Sequence, residues 1–347
     1  MALPAAGQEK SVRAEVQCAD LAKDKSRLLL ALEEYLGATE GAKRFDWLYL
    51  ENPYGWAKAW MLVPEGSREV LGVAAIFPRL LLKAGKNTVG YVFGDFCLKP
   101  SWRSLGPGIQ LQKACMLSAS SGEALSYDMP SAGMLAIYKR IRQGIATEMV
   151  RYARPLRMNR KVSERLPFLP AAEAISSVGN ELLRWKDILA EKRSNWAVST
   201  MDGPFGKEFD ELNEGLVEDA EVRVARSSAY LNWRFRGHPY RRPVVLVAKN
   251  GAKLGGFLIL DQEQGQMSII DVQSATDRSA IPALLEAATK LARRAGSESL
   301  SFSLLKNDSL TVLLREIGFR PRESRPVVLF GTSVENAWRL FDGDRES

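Results

Sequence analysis

The chain has 347 residues, 46% hydrophobic and 26% charged, with a net charge of +7. That balance excludes a disordered or fibrous chain, and the length suits two domains of ordinary size. No apolar run approaches the roughly 18 residues of a membrane span, and the N-terminus lacks the basic-then-apolar order of a secretion signal, so a cytoplasmic protein is expected. Three cysteines cannot build a disulfide framework, and one histidine, His238, with no Cys-x-x-Cys pair gives no basis for a metal site.

The first clear element is a helix. Leu28, Leu29, Leu32, Tyr35 and Leu36 keep a 3.6-residue period and stop at Gly37, a C-cap signal. Residues 45–55 then read FDWLYLENPYG, and strand-like runs follow at 56–63, 70–77 and 88–98, the third with Asp95 near its end. Next comes LKPSWRSLGPGIQLQKACM, in which Arg103-Ser104-Leu105-Gly106-Pro107-Gly108 fits R-x-x-G-x-G between a strand and a helix. A short strand near 124–127, a helix carrying Tyr138, the pair Gly144-Ile145 and a last strand complete the first half.

The second half repeats this plan. Residues 231–241 read LNWRFRGHPYR, so Trp47 and Trp233, Pro53 and Pro239, and Tyr54 and Tyr240 are each 186 residues apart. Phe209, Leu212 and Leu216 mark a helix upstream. Strands are expected at 244–249, 257–261 and 267–272, the last ending near Asp271, followed by a helix striped by Ile281, Leu284, Leu285, Ala288 and Leu291. A strand at 300–304, a helix, Gly318-Phe319 and a final strand close the repeat. The expected fold class is α+β (mixed α/β): two tandem domains, 1–160 and 206–347, each a twisted, mostly antiparallel sheet flanked by helices, joined by a connector at 161–205.

Charge is uneven along the chain. Residues 139–165 hold nine basic side chains against Glu148 and Glu164, which accounts for the whole excess of +7. Such a stretch suits an anionic partner, and equally a solvated connector.

A glycine-rich turn that opens a helix presents unpaired amides and the positive end of the dipole, so phosphate or pyrophosphate is the expected ligand; a purely structural turn fits the same residues. Strand, V/L-x-P-x-x-R-x-x-G-x-G and amphipathic helix resemble the acetyl-CoA-binding motif of the GNAT acyltransferase superfamily. LSYDMPSAGMLAIYKRIRQGI, with Tyr138 six residues before Gly144, resembles that family's second signature. The resemblance covers most of the chain as two consecutive GNAT-like units, a layout similar to duplicated GNAT proteins associated with bacterial surface polysaccharide synthesis. It implies acetyl-CoA or another acyl-CoA as co-substrate. Its pyrophosphate would lie on the amides of Ser104, Leu105, Gly106, Pro107, Gly108 and Ile109, with Arg103 at the start of the cradle and Phe96, Cys97 and Leu98 beside the pantetheine arm. Proline has no amide hydrogen to give, so Pro107 departs from the pattern, as does Ser131 where asparagine is usual.

By the same resemblance Tyr138 would be the general acid for the departing thiolate, although Met134, Tyr138 and Ile141 also make an ordinary packing stripe. Transfer to an amine calls for a carboxylate base. Asp95 is the first candidate and Asp128 and Glu51 are others, but the counterpart Asp271 suits a structural duty for Asp95, such as bonding to backbone amides. Aligning the halves puts Ser279, Pro282 and Leu284 opposite Arg103, Gly106 and Gly108, and Val312 opposite Tyr138, so the second half carries neither cradle nor acid. The expected activity is acyl transfer to a small amine or amino-sugar acceptor. The alternatives are a Fem-type transferase using aminoacyl-tRNA, which would use the basic stretch, and a non-catalytic GNAT-like binding protein.

Overall fold

The computed structural model describes residues 13–37, 41–119, 125–157, 194–216, 221–263, 265–330 and 337–345. The first half runs β1 (Ala14–Cys18), α1 (Lys25–Leu36), α2 (Gly41–Phe45), a π-helical turn (Asp46–Leu50), β2 (Lys58–Pro64), β3 (Gly72–Lys83), β4 (Lys86–Leu98), α3 (Leu105–Ala119), β5 (Ser126–Asp128), α4 (Ala132–Arg140) and β6 (Thr147–Pro155). The second runs β7 (Ala197–Met201), α5 (Lys207–Glu214), β8 (Val222–Val224), α6 (Ser228–Leu231), a π-helical turn (Asn232–Arg236), β9 (Val244–Asn250), β10 (Lys253–Glu263), β11 (Gln266–Ser274), α7 (Ile281–Arg294), β12 (Ser299–Leu305), α8 (Leu310–Glu316), β13 (Arg320–Phe330) and β14 (Trp338–Arg339). The two FDWLYL/LNWRFR segments thus fold into the same unusual turn. The mixed α/β class read from the sequence is what the chain adopts.

Local rules account for the clearest elements. The α1 stripe buries Leu28, Leu32 and Tyr35, and Gly37 closes the helix in the left-handed region (φ 71°), with its amide on the Leu32 carbonyl. Ser131 caps α4 by accepting from the Met134 amide. The strands lie in one sheet in the order β1-β2-β3-β4-β5-β13-β6-β12-β11-β10-β9-β7, with β8 on β3 and β14 on β8.

That order contains an arrangement the sequence does not announce. The last strand of each half leaves its own meander for the other. β13 pairs antiparallel with β5, with Leu329 opposite Tyr127, while β6 pairs with β12, with Tyr152 opposite Phe302. The two exchanged strands also pair with each other. The sheet is therefore continuous from one half to the other, and β7, inside the expected connector, is an edge strand on β9. Residues 161–193 of that connector lie outside the described residues.

Both halves share a second feature. Val73 pairs with Cys97 but Ala75 pairs with Gly94, so β4 carries an extra residue, and Asp95 sits there at φ 46°. In β11, Ile259 pairs with Asp271 but Leu260 with Ile269, again one residue too many. A bulge bends its strand and ends regular pairing. Accordingly the parallel ladder of β4 with β5 covers only Tyr91 and Val92, and that of β11 with β12 only residues 267–269. Beyond each bulge the neighbouring strands part.

Candidate active site

In the first half, the gap beyond the β4 bulge is framed by the end of β4, the head of α3 and the start of α4. Phe96 and Leu98 pack on the cluster that also holds Tyr138, Ile137 and Phe330, while Cys97 points to the opposite cluster. Cys97 Sγ lies 3.9 Å from the Ala31 carbonyl, and burial pushes its thiol up to about 12, which fits packing and not nucleophilic chemistry.

The turn itself separates into two parts. The Arg103 amide meets the Pro100 carbonyl at 3.3 Å, and the Ser104 amide the Trp102 carbonyl at 2.7 Å, so these two donors are used internally. The Arg103 side chain also turns back: Nε donates to the Leu98 carbonyl at 3.1 Å and a terminal nitrogen to Tyr35 O at 3.4 Å. Arg103 thus braces the end of β4 against the end of α1. The donors that remain for an anion belong to the first turn of α3, which no preceding helical carbonyl can satisfy. Pro107 supplies none.

The two glycines differ. A Cβ on Gly106 would meet nothing within 4 Å, and its φ is not in the left-handed region. A Cβ on Gly108 would come within 2.8 Å of Ile137 Cδ1. Gly108 therefore lets α3 lie close on the Ile137 side chain of α4, and Gly106 is the open position at the helix head.

That packing delivers Tyr138. Gln112, one turn after Gly108, donates from Nε2 to the Tyr138 hydroxyl at 2.9 Å, and the hydroxyl donates to Asp128 Oδ2 at 2.5 Å. Tyr138 is 1% exposed. Burial, opposed by the Tyr138 hydrogen bond, raises the Asp128 carboxyl to about 7; burial first, then the Asp128 charge, pushes the Tyr138 phenol well above its usual value. Gln112 escaped the sequence reading. Its only signal was a polar residue on the buried face of α3 at i+4 from Gly108.

Asp95 lies apart from this group. Arg44 grips both of its oxygens at 2.8 Å each, and the Tyr49 hydroxyl donates to Oδ2 at 2.9 Å. Asp271 is likewise held by an arginine, Arg226, whose Nε is shared between its two oxygens at 3.2 and 3.1 Å. Both matched aspartates answer arginines, Asp271 with a backbone hydrogen bond at Val272 as well, and both Asp95 oxygens already accept hydrogen bonds.

Three members of the basic stretch reach into the second half. Among its described members, Arg151 pairs with Glu323, Arg154 reaches Thr289 of α7 at 3.5 Å, and Arg157 the Arg293 carbonyl at 3.3 Å. Arg160, Lys161 and Arg165 lie outside the described residues. Val312, opposite Tyr138 in the repeat, is exposed. His238 accepts at Nδ1 from the Tyr240 and Arg241 amides and lies on the Trp47 ring, with burial and nearby arginines holding its imidazole down to about 4. Among the described residues no His, Cys, Asp and Glu cluster could hold a metal ion, and no helix is long and apolar enough to cross a membrane.

The same overall fold recurs in solved structures. A protein of Enterococcus faecalis described as a probable N-acyltransferase superposes with a TM-score of 0.66 at 12% identity, over 93% of this chain and 73% of that one. The chain has the fold of the GCN5-related N-acetyltransferases. A GNAT protein of Anabaena variabilis gives a TM-score of 0.64 at 16% identity, covering 91% of this chain and 72% of that one. N-Myristoyltransferase of Saccharomyces cerevisiae, with myristoyl-CoA bound, gives 0.55 at 15%, covering 94% and 84%. No family model matches the sequence, and no curated protein matches it either.

Proposed function

We propose that the protein is an acyl-CoA-dependent N-acyltransferase built from two GNAT-like units, whose first unit holds the acyl donor and transfers its acyl group directly to a small amine or amino sugar. The observation that carries this reading is the contact chain from the turn to the candidate acid: Gly108 against Ile137, and Gln112 onto Tyr138. One helix therefore presents the anion-binding turn and fixes the phenol, a coupling that a purely structural turn does not need.

Bound acyl-CoA would supply a thioester activated toward an amine, with acetyl-CoA the default donor. The first-turn amides of α3 and its dipole hold the diphosphate. The edge of β4 beyond the bulge, at Phe96, Cys97 and Leu98, would lie beside the chain that carries the thioester and orient it. Asp128 and Tyr138 manage protons as a pair. With Asp128 ionised, the Tyr138 proton is held against Oδ2. With Asp128 protonated, the pair carries two protons and the phenol is released to give its own to the departing thiolate, recovering one from Asp128. A carboxyl near 7 populates both states at neutral pH, as general acid–base work requires. Asp128 is on this reading the proton reservoir, and Asp95 a brace for the bulge.

Titration with acetyl-CoA and with longer acyl-CoAs tests donor binding, using Gly106→Asp as the comparison. Tyr138→Phe tests the chemistry: bound donor with turnover at least about a hundredfold slower is expected. The burial of Tyr138 favours one second reading, a protein that binds acyl-CoA without turning it over, and the same pair of measurements separates the two.

A further inference from the structure

The second half lacks the glycine turn, yet it holds a cavity of about 290 Å³ in the matching place. It opens beyond the β11 bulge, at the heads of α7 and α8, and its walls include Gln273, Ser274, Arg223, Arg278 and Arg339. Its volume equals about ten waters at about 30 Å³ each, at the small end of ligand pockets.

Three observations describe what it would take. First, every charged residue that lines it is an arginine: Arg223, Arg226, Arg278 and Arg339. Two of them have carboxylate partners that do not line the cavity. Arg226 is held by Asp271 and Asp344, and Arg339 by Glu221 and Asp308. Second, Arg278 forms no ion pair among the described residues, and its guanidinium bonds to the Ser309 hydroxyl. Third, Gln273 is 6% exposed, and its carboxamide nitrogen Nε2 is buried with no hydrogen-bond partner. Buried donors are nearly always paired, so an unpaired one that lines a cavity calls for an acceptor supplied from outside.

The geometry points to a second ligand site in this cavity, one that binds the oxyanion end, carboxylate or phosphate, of a small molecule through Gln273 and Arg278. The fold thus places an anion seat beyond both bulges, made of helix amides in the first half and of side chains in the second. The inference does not rest on acyl-CoA binding by the first half.

Calorimetric titration of the full chain with inorganic phosphate, succinate and uncharged succinamide tests it. The titrations are run in a Gly106→Asp background, so that the α3 head contributes nothing. Saturable binding of one anion per chain is expected, with succinamide silent, and at least tenfold weaker binding in Gln273→Leu and in Arg278→Ala. Phosphate alone, succinate alone or both would each support the site and would name the oxyanion it prefers. Arg278 sits on a half-buried turn, so its variant keeps the test open if Gln273→Leu fails to fold. No saturable binding of either anion, or binding unchanged in a folded variant, overturns the proposal.

Discussion

Trp47 and Trp233 hold each other's backbone. Each indole N–H donates to the other's main-chain carbonyl at 2.8 Å, and the rings stack with centroids 5.1 Å apart. Two residues 186 positions apart thus meet in a local two-fold contact.

Reciprocal bonds make the two sites energetically inseparable. Trp47→Phe or Trp233→Phe removes one donor and leaves a buried carbonyl unsatisfied, at a cost of about 1–3 kcal/mol. The double variant should cost less than the sum of the singles, because the carbonyls lose partners in one shared, loosened contact. Urea unfolding of the four proteins measures the coupling, and strict additivity would count against it.

Arg44 and Asp95 form the ion pair that fixes the β4 bulge, with side chains 12% and 4% exposed. Arg44→Ala strands a buried carboxylate and should cost about 3–5 kcal/mol. Restoring neutrality with Asp95→Asn in the same chain should recover part of that loss. A double variant as unstable as Arg44→Ala alone would show that charge is not what the pair supplies.

Asp128 should make the fold less stable as pH rises. Its carboxyl is protonated in folded and unfolded chains well below pH 4. Between about 4 and 7 the unfolded chain releases its proton while the folded chain keeps it, and above about 7 the folded chain must carry a buried charge. Stability from this group is therefore present at low pH and lost through about pH 7. Asp128→Asn removes the titration, so its melting temperature should exceed that of the wild type by roughly 2–4 °C or more at pH 8 and by much less at pH 5. An equal shift at both values would place the cause elsewhere.

His238 works in the opposite direction. Its imidazole accepts from two amides and is held down to about 4, below the ordinary value of 6.5. The stability it contributes is fully present above about 6.5 and is lost as pH falls toward 4, because the unfolded chain binds the proton first. His238→Asn keeps an acceptor without a titration, and melting curves between pH 7 and 4 should fall less steeply for it than for the wild type.

The sequence reveals what local chemistry decides. The Gly37 cap and the two meanders follow from spacing and residue type. Strand exchange does not, since β6 and β13 carry patterns that fit either half, and only the completed sheet shows which partner each takes. At the candidate site, the turn and Tyr138 were singled out by their motif. The contacts of Arg103, Gly108 and Asp95 were not legible, because the reach of a guanidinium to Leu98, a contact with Ile137 and a partner 51 residues away depend on tertiary packing. The second-half cavity is assembled from β8, β11, α7, α8 and β14 and had no contiguous signal at all.

The central claim is that the head of α3 seats the diphosphate of an acyl-CoA. Gly106→Asp tests it cleanly, because an acidic residue in the first turn suits the helix dipole while it repels a phosphate, and the position has open space around it. The dissociation constant for acetyl-CoA, measured by calorimetry on both proteins, should rise at least about tenfold in the variant with its melting temperature maintained or raised, a loss of about 1.4 kcal/mol in binding. Equal affinity in the two folded proteins would contradict the assignment.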